Sequence, residues 1–82
     1  MSQQIDDALK NILIDRLFLD YTPEELDVTA PLEDYGVDSF LLQEMIVGIE
    51  EQFGVRFEPS DFNTDVFATL TSVRAWIIRK QA

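Results

Sequence analysis

The chain has 82 residues, of which 46% are hydrophobic, and this length corresponds to one domain, residues 1–82, with a small core. It contains no cysteine and no histidine, which excludes disulfides, thiolate nucleophiles, imidazole bases and Cys/His zinc sites. Sixteen acidic and six basic residues give a net charge of −10, which disfavours nucleic acids and anionic membrane surfaces as partners. No apolar run approaches the roughly 20 residues of a membrane span, and Asp6 and Asp7 interrupt any signal peptide. We therefore expect a cytoplasmic protein.

The acidic residues are concentrated in the middle of the chain. From Asp20 to Asp65 there are thirteen carboxylates and a single base, Arg56, whereas the two ends together carry +2. Such a run is typical of a solvated face that keeps a small protein soluble. It is equally compatible with electrostatic steering towards basic partners.

The first predicted element is an amphipathic helix from Gln4 to Leu19, in which apolar residues recur at spacings of three and four. The residues of its apolar side are Ile5, Ala8, Leu9, Ile12, Leu13, Leu17 and Phe18. The segment from Tyr21 to Asp38 mixes turn-forming residues with isolated apolar ones. This composition predicts a long ordered loop after the first helix.

Three further helices are predicted after this loop. Asp38 is an N-cap candidate for a second helix from about Ser39 to Phe53, and Gly54 follows as a C-terminal cap. Pro59 can open a short third helix, and Thr71 can cap the last one, in which Val73, Trp76 and Ile77 face inward. No segment alternates as a strand, so the predicted fold is an all-α four-helix bundle. Its aromatic core candidates are Phe53, Phe57, Phe62, Phe67 and Trp76.

A calcium loop is one candidate site. Asp61, Asn63 and Asp65 match the first three ligand positions of such a loop. The sixth position is Val66 instead of glycine, and the twelfth is Ser72 instead of a bidentate glutamate. We therefore predict no metal site.

The hydroxyl of Ser39 is the other candidate, because it lies at the start of the second helix. A small polar residue at the start of a helix can have a purely structural role, in which its side chain accepts hydrogen bonds from the free backbone N–H groups of the first turn. Without a histidine or cysteine, the chain has no group to activate this hydroxyl, so any chemistry there requires another protein. A phosphate ester on Ser39 would meet the positive end of the helix dipole.

The run Leu32-x-x-Tyr35-Gly36-Val37-Asp38-Ser39-Phe40 resembles the 4′-phosphopantetheine attachment motif of acyl and peptidyl carrier proteins. The similarity continues through the second helix, in Phe53-Gly54-Val55 and the acidic residues before it, and through the last helix. The resemblance implies that Ser39 receives the arm from coenzyme A and that Asp38 helps to present it to a phosphopantetheinyl transferase. It also implies a set of partner-binding positions, namely Phe40, Leu41, Glu44, Val47 and Glu51.

A carrier of this family is not an enzyme. The resemblance implies a monomer that holds an acyl or aminoacyl thioester, a loading enzyme (an acyltransferase or an adenylating ligase) and a downstream synthase or transferase. Tyr35 and Phe40 stand where leucine is commoner. Asp38-Ser39-Phe40, together with the run from Phe62 to Phe67, is similar to discrete carriers such as the D-alanyl carrier protein, and freestanding carriers of polyketide and nonribosomal pathways resemble it too. A fatty-acid carrier is a further alternative. The alternative from another class is an unmodified acidic module that binds a protein.

Overall fold

The computed structural model describes residues 2–61 and 65–82 of the chain. Within them the structure is all-α, as predicted, and contains no strand. Three α-helices form the body: α1 (Ser2–Asn11), α2 (Ser39–Phe53) and α3 (Leu70–Gln81). A π-helical turn continues α1 over Ile12–Arg16, and single 3₁₀ turns occur at Pro23–Glu25, Leu32–Tyr35 and Pro59–Asp61. None of the described helices has the length and hydrophobicity of a membrane-spanning segment.

The first helix ends before the predicted residue, Leu19. After Asn11 the helix widens, and the N–H of Leu17 donates to the carbonyl of Ile12 at 3.3 Å, an i→i+5 bond. Phe18 then takes a left-handed conformation with φ of 58°, which turns the chain out of the helix. Its side chain is 86% exposed, so the prediction that Phe18 faces the core is wrong.

The second helix has the predicted bounds because its caps are local. The side chain of Asp38 accepts a hydrogen bond from the N–H of Leu41 at 2.9 Å, as an N-cap residue does. At the other end, the N–H of Gly54 donates to the carbonyl of Glu50, with φ of 67° at the glycine. The apolar period predicts a buried stripe of Leu42, Met45, Ile46, Ile49 and Phe53. Met45, Ile46 and Ile49 are buried, whereas Leu42 and Phe53 are partly buried.

The last helix is capped by Thr69, and the prediction of Thr71 as its cap is wrong. The hydroxyl of Thr69 accepts from the N–H of Ser72 at 3.1 Å, and the Ser72 hydroxyl accepts from the N–H of Thr69 at 3.0 Å. Thr71 instead donates from both its N–H and its hydroxyl to the carbonyl of Val28. This contact joins α3 to the long loop. The inward-facing residues Val73, Trp76 and Ile77 are buried as predicted.

The predicted third helix corresponds to the 3₁₀ turn Pro59–Asp61. Residues 62–64, which include the core candidate Phe62, lie outside the described residues. The described part of the chain therefore confirms the helical class and three α-helices, but not the fourth helix of the predicted bundle.

One hydrophobic core connects α1, α2, α3 and the long loop. Leu26 and Leu32 are buried in it, so the loop is ordered by packing. At the α3 side, the ring centroids of Phe57 lie 5.2 Å from Phe67 and 5.4 Å from Trp76. Phe67 and Trp76 are buried, whereas Phe57 and Phe53 are partly buried. Among the described residues, the buried apolar side chains are those of Leu9, Ile12, Leu13, Leu17, Leu26, Leu32, Met45, Ile46, Ile49, Val66, Phe67, Leu70, Val73, Trp76 and Ile77.

Candidate functional site

The loop before α2 is fixed at both ends of its 3₁₀ turn. Leu32 is buried, and its N–H donates to the carbonyl of Ala68 at 2.9 Å, so the turn begins at a point tied to the core. The turn ends at Gly36, whose φ of 81° is a conformation that side chains with a Cβ rarely adopt. Leu32 and Gly36 thus fix the path of the chain where it enters α2.

Tyr35 stabilises this loop from the outside. Its hydroxyl accepts a hydrogen bond from the N–H of Asp27 at 2.7 Å, and its ring packs edge-on against Tyr21, with centroids 5.2 Å apart. A leucine at this position could not make the hydrogen bond, because it has no polar atom. Tyr35 thus joins two parts of the long loop beside the candidate site.

Ser39 is the first residue of α2, and its side chain is exposed. Asp38 caps the N–H of Leu41, while the N–H groups of Ser39 and Phe40 belong to the first turn, which has no intrahelical acceptors. A phosphate ester on the Ser39 hydroxyl would therefore lie close to free backbone N–H groups and to the positive end of the helix dipole. The site fits a phosphodiester attachment.

Four of the five predicted partner-binding residues share one side of α2. Phe40, Glu44, Val47 and Glu51 follow one another at spacings of four, three and four residues, and all four are exposed. Phe40 is 68% exposed and Val47 40% exposed, so this side of α2 presents two apolar side chains to solvent. We call these four residues the α2 outer face. Leu41 does not belong to it, because its side chain is partly buried against the core.

Arg16 contacts the acidic residues of this face, and sequence reasoning missed it. Its Nη1 lies 3.3 Å from Oε2 of Glu51, and its Nε lies 3.6 Å from Oε2 of Glu44. No sequence period connects a base at the end of the first helix with acids on the second, so no local pattern could have revealed this contact. The two carboxylates of the outer face are therefore paired within the chain itself.

The calcium hypothesis receives no support from the described residues. In residues 2–61 and 65–82, no group of three or more acidic side chains is arranged to hold a metal ion. Asp61 instead accepts from Lys80 at 2.8 Å and from the N–H of Glu58 at 3.0 Å. Asn63 lies outside the described residues.

The family model described as "Phosphopantetheine attachment site" matches residues 7–77. The acyl carrier proteins of two strains of Nitratidesulfovibrio vulgaris, DP4 and Hildenborough, are each 36% identical to this chain over 58 residues, which is 70% of this chain and 74% of theirs. The chain belongs to the acyl carrier protein family. This carrier protein is accordingly not a catalyst, and it holds a covalently attached phosphopantetheine.

Two solved structures contain chains with a similar fold. Both are crystal structures of an engineered Bradyrhizobium japonicum glycine:[carrier protein] ligase complexed with a carrier protein from Agrobacterium tumefaciens, one with ATP and one with AMP. The chain from the ATP complex has a TM-score of 0.80 and 23% identity, with coverage of 92% of this chain and 97% of that one. The chain from the AMP complex has a TM-score of 0.75 and 24% identity, with coverage of 85% and 93%. At these identities the similarity is one of fold.

Proposed function

We propose that Ser39 is the residue that carries the 4′-phosphopantetheine arm, which a phosphopantetheinyl transferase installs from coenzyme A. The observation that carries this proposal is the exposed Ser39 hydroxyl at the start of α2, directly after the capping residue Asp38 and the left-handed Gly36. When attached, the arm supplies a thiol that holds the acyl or aminoacyl cargo as a thioester. The protein body supplies an exposed attachment point and a surface by which partners recognise it.

Asp38 has two tasks in this proposal. One carboxylate oxygen caps α2 through the N–H of Leu41, which fixes the backbone that presents Ser39. The exposed remainder of the carboxylate faces solvent next to Ser39, where the transferase must approach. Asp38 thus holds Ser39 in position and contributes a negative charge that the transferase can recognise.

The α2 outer face is the proposed docking surface for the transferase, the loading enzyme and the downstream enzyme. It begins one residue after Ser39 and combines two apolar side chains, Phe40 and Val47, with two acids, Glu44 and Glu51. Apolar contacts supply most of the binding energy at protein interfaces, whereas charges mainly guide the approach and select the partner. A partner enzyme is therefore expected to offer an apolar recess and a basic rim.

We infer that this carrier protein serves a polyketide or nonribosomal pathway. Two features support this reading: Phe40 directly after Ser39, and the fold similarity to chains crystallised with a glycine:[carrier protein] ligase, ATP and AMP. An ATP-dependent adenylating ligase is then the preferred loading enzyme, with an acyltransferase as the other possibility. A D-alanyl or fatty-acid carrier is the alternative.

The attachment site is tested by intact-mass measurement after incubation with coenzyme A and a phosphopantetheinyl transferase. The wild type should gain the mass of one phosphopantetheine, and Ser39→Ala should gain none while it retains its fold. Ser60→Ala is the matched control, because Ser60 is also an exposed serine, in the turn Pro59–Asp61. Modification of Ser39→Ala would contradict the proposal, and an unmodified wild type would favour an acidic binding module.

The cargo is identified by weighing the protein purified from the cell that produces it. An aminoacyl mass other than alanyl would support the nonribosomal assignment, an alanyl mass would support the D-alanyl alternative, and a malonyl-derived mass would support a polyketide pathway. A saturated fatty acyl mass would support the fatty-acid alternative instead. Hydroxylamine at neutral pH cleaves thioesters much faster than oxygen esters, so rapid release of the added mass indicates that it is bound through the thiol of the arm.

A further inference from the structure

The Arg16 guanidinium lies across two acids of the α2 outer face. Its Nη1 and Nε approach Glu51 at 3.3 Å and Glu44 at 3.6 Å, and the Arg16 side chain is 34% exposed. Glu44 and Glu51 are 48% and 64% exposed, so both carboxylates stay accessible from solvent. A single internal cation therefore occupies the acids that a basic partner would address.

The local backbone holds Arg16 in this place. The N–H of Leu17 donates to the carbonyl of Ile12 and closes a widened turn, and Arg16 and Ile12, four residues apart, lie on the same side of it. Both side chains then pack on Gly48: a Cβ built there would lie 3.0 Å from Arg16 Cδ and 3.1 Å from Ile12 Cγ2. A Cβ at position 48 would require Arg16 and Ile12 to shift by a few tenths of an ångström, so glycine allows the arginine stem to approach α2 closely.

The ion pairs of Arg16 with Glu44 and Glu51 are nevertheless easy to replace by ion pairs with another base. The Nε of Arg16 is buried, yet it has no hydrogen-bond acceptor within the described part of the chain. Such a group loses its hydration without replacing it, which offsets part of the attraction to the two acids. Exposed ion pairs are also weak in general, because solvent screens them. Arg16 can therefore give up Glu44 and Glu51 at little cost.

We propose that Arg16 is an internal competitor that occupies the Glu44/Glu51 pair in the free carrier and is displaced by a basic side chain of the docking enzyme. This inference rests on the proposed function of the α2 outer face. Arg16 weakens the binding of weakly basic proteins to Glu44 and Glu51, because such proteins must displace Arg16 without gaining apolar contacts. An enzyme that also buries Phe40 and Val47 gains binding energy that offsets the cost of displacing Arg16. Arg16 is thus a specificity-determining residue that acts through the two acids.

The kinetic test uses a phosphopantetheinyl transferase with coenzyme A and measures arm transfer to Arg16→Gln and to Arg79→Gln. The two variants have the same net charge, and Arg79 is an exposed base on α3. We expect Arg16→Gln to raise kcat/KM about two- to fivefold through a lower KM at low salt, with a smaller gain at high salt. Equal values for the two variants, or a lower kcat/KM for Arg16→Gln, would overturn the proposal.

A second measurement tests whether the effect of Arg16→Gln on kcat/KM depends on Glu44 and Glu51. In a background of Glu44→Gln and Glu51→Gln, the Arg16→Gln change should leave kcat/KM unaltered, because no acid remains to be released. A gain that persists in this background contradicts the competitor role. Attachment of the arm to the wild type tests the proposed function separately, so the failure of one idea does not imply the failure of the other.

A third measurement needs no change at Arg16. In ¹⁵N-labelled carrier with Ser39→Ala, which binds without turnover, the Arg16 Nε–H resonance is followed while unlabelled transferase is added. Displacement should move this resonance towards the shift and fast motion of a solvent-exposed arginine. If it stays in place while the amides of Phe40 and Val47 shift, the enzyme docks without displacing Arg16 and the proposal is wrong.

Discussion

The ammonium nitrogen of Lys80 lies 2.8 Å from Oδ2 of Asp61 and joins the last turn of α3 to the 3₁₀ turn Pro59–Asp61. The same nitrogen lies 3.4 Å from Oε1 of Glu58 and 5.9 Å from the centre of the Trp76 ring. The basic C-terminal helix therefore folds back on the acidic middle of the chain, as Arg16 does at the other end. Part of the large negative charge is balanced within the fold.

Acid should destabilise the protein in part through Asp61. The hydrogen bond from Lys80 lowers the pKa of Asp61 below its ordinary value, and the N–H of Glu58 acts in the same direction. A lowered carboxyl pKa stabilises the fold above the unfolded value of about 3.9, and this stabilisation is lost as the pH falls through the folded pKa. We expect urea unfolding to show wild type more stable than Asp61→Asn at pH 7 and the difference to shrink below about pH 4. Asp20→Asn removes an exposed carboxylate elsewhere and is the control for the change in net charge. A stability difference between wild type and Asp61→Asn that does not vary with pH would contradict the prediction.

Replacement of Phe18 by glycine should stabilise the fold. Phe18 has φ of 58° and is 86% exposed, so its side chain contributes little packing while its backbone is held in a left-handed conformation. A residue with a Cβ pays about 1 kcal/mol or more there, and glycine does not. Phe18→Gly should raise the free energy of unfolding by about 0.5–1 kcal/mol. Phe18→Ala keeps the Cβ and should show no such gain, so equal stabilisation by both variants would point to a cause other than the backbone.

The two tasks of Asp38 can be separated by substitution. Asp38→Asn keeps an oxygen acceptor for the N–H of Leu41, so it should unfold close to wild type, whereas Asp38→Ala should lose about 1 kcal/mol with the cap. If the carboxylate charge is read by the transferase, arm attachment to Ser39 should slow in both variants. An unaltered rate in Asp38→Asn would leave Asp38 with the capping role alone. Circular dichroism and intact mass over time provide the two measurements.

The thioester cargo is expected to stay outside the core. Phe57, Phe67 and Trp76 pack with ring centroids 5.2 to 6.3 Å apart, and rigid rings yield less readily to a guest than aliphatic side chains do. NMR shifts of the pantetheinylated protein with and without a medium-length acyl group should differ near Ser39 and Phe40 only. Large shifts at Trp76 or at core residues of α2, Ile46 and Ile49, would show the chain entering the bundle.

The sequence by itself determined the elements whose signals are local. The bounds of α2 follow from Asp38 and Gly54, because a cap is a contact between residues a few positions apart. The inward residues Met45, Ile46 and Ile49 follow from the helical period. The candidate serine, too, is recognisable from its neighbours along the chain.

Only the tertiary structure decided the features that depend on distant residues. From the sequence, Thr71 is predicted to cap the last helix. In the structure both the N–H and the hydroxyl of Thr71 donate to the carbonyl of Val28, and Thr69 caps α3 instead. The first helix ends where its wider last turn packs Arg16 on Gly48, a contact that no spacing along the chain predicts. Long-range ion pairs have no period, since any base can meet any acid that folding brings near. That is why the pairing of Arg16 with Glu44 and Glu51 is evident only from the packing of the first two helices.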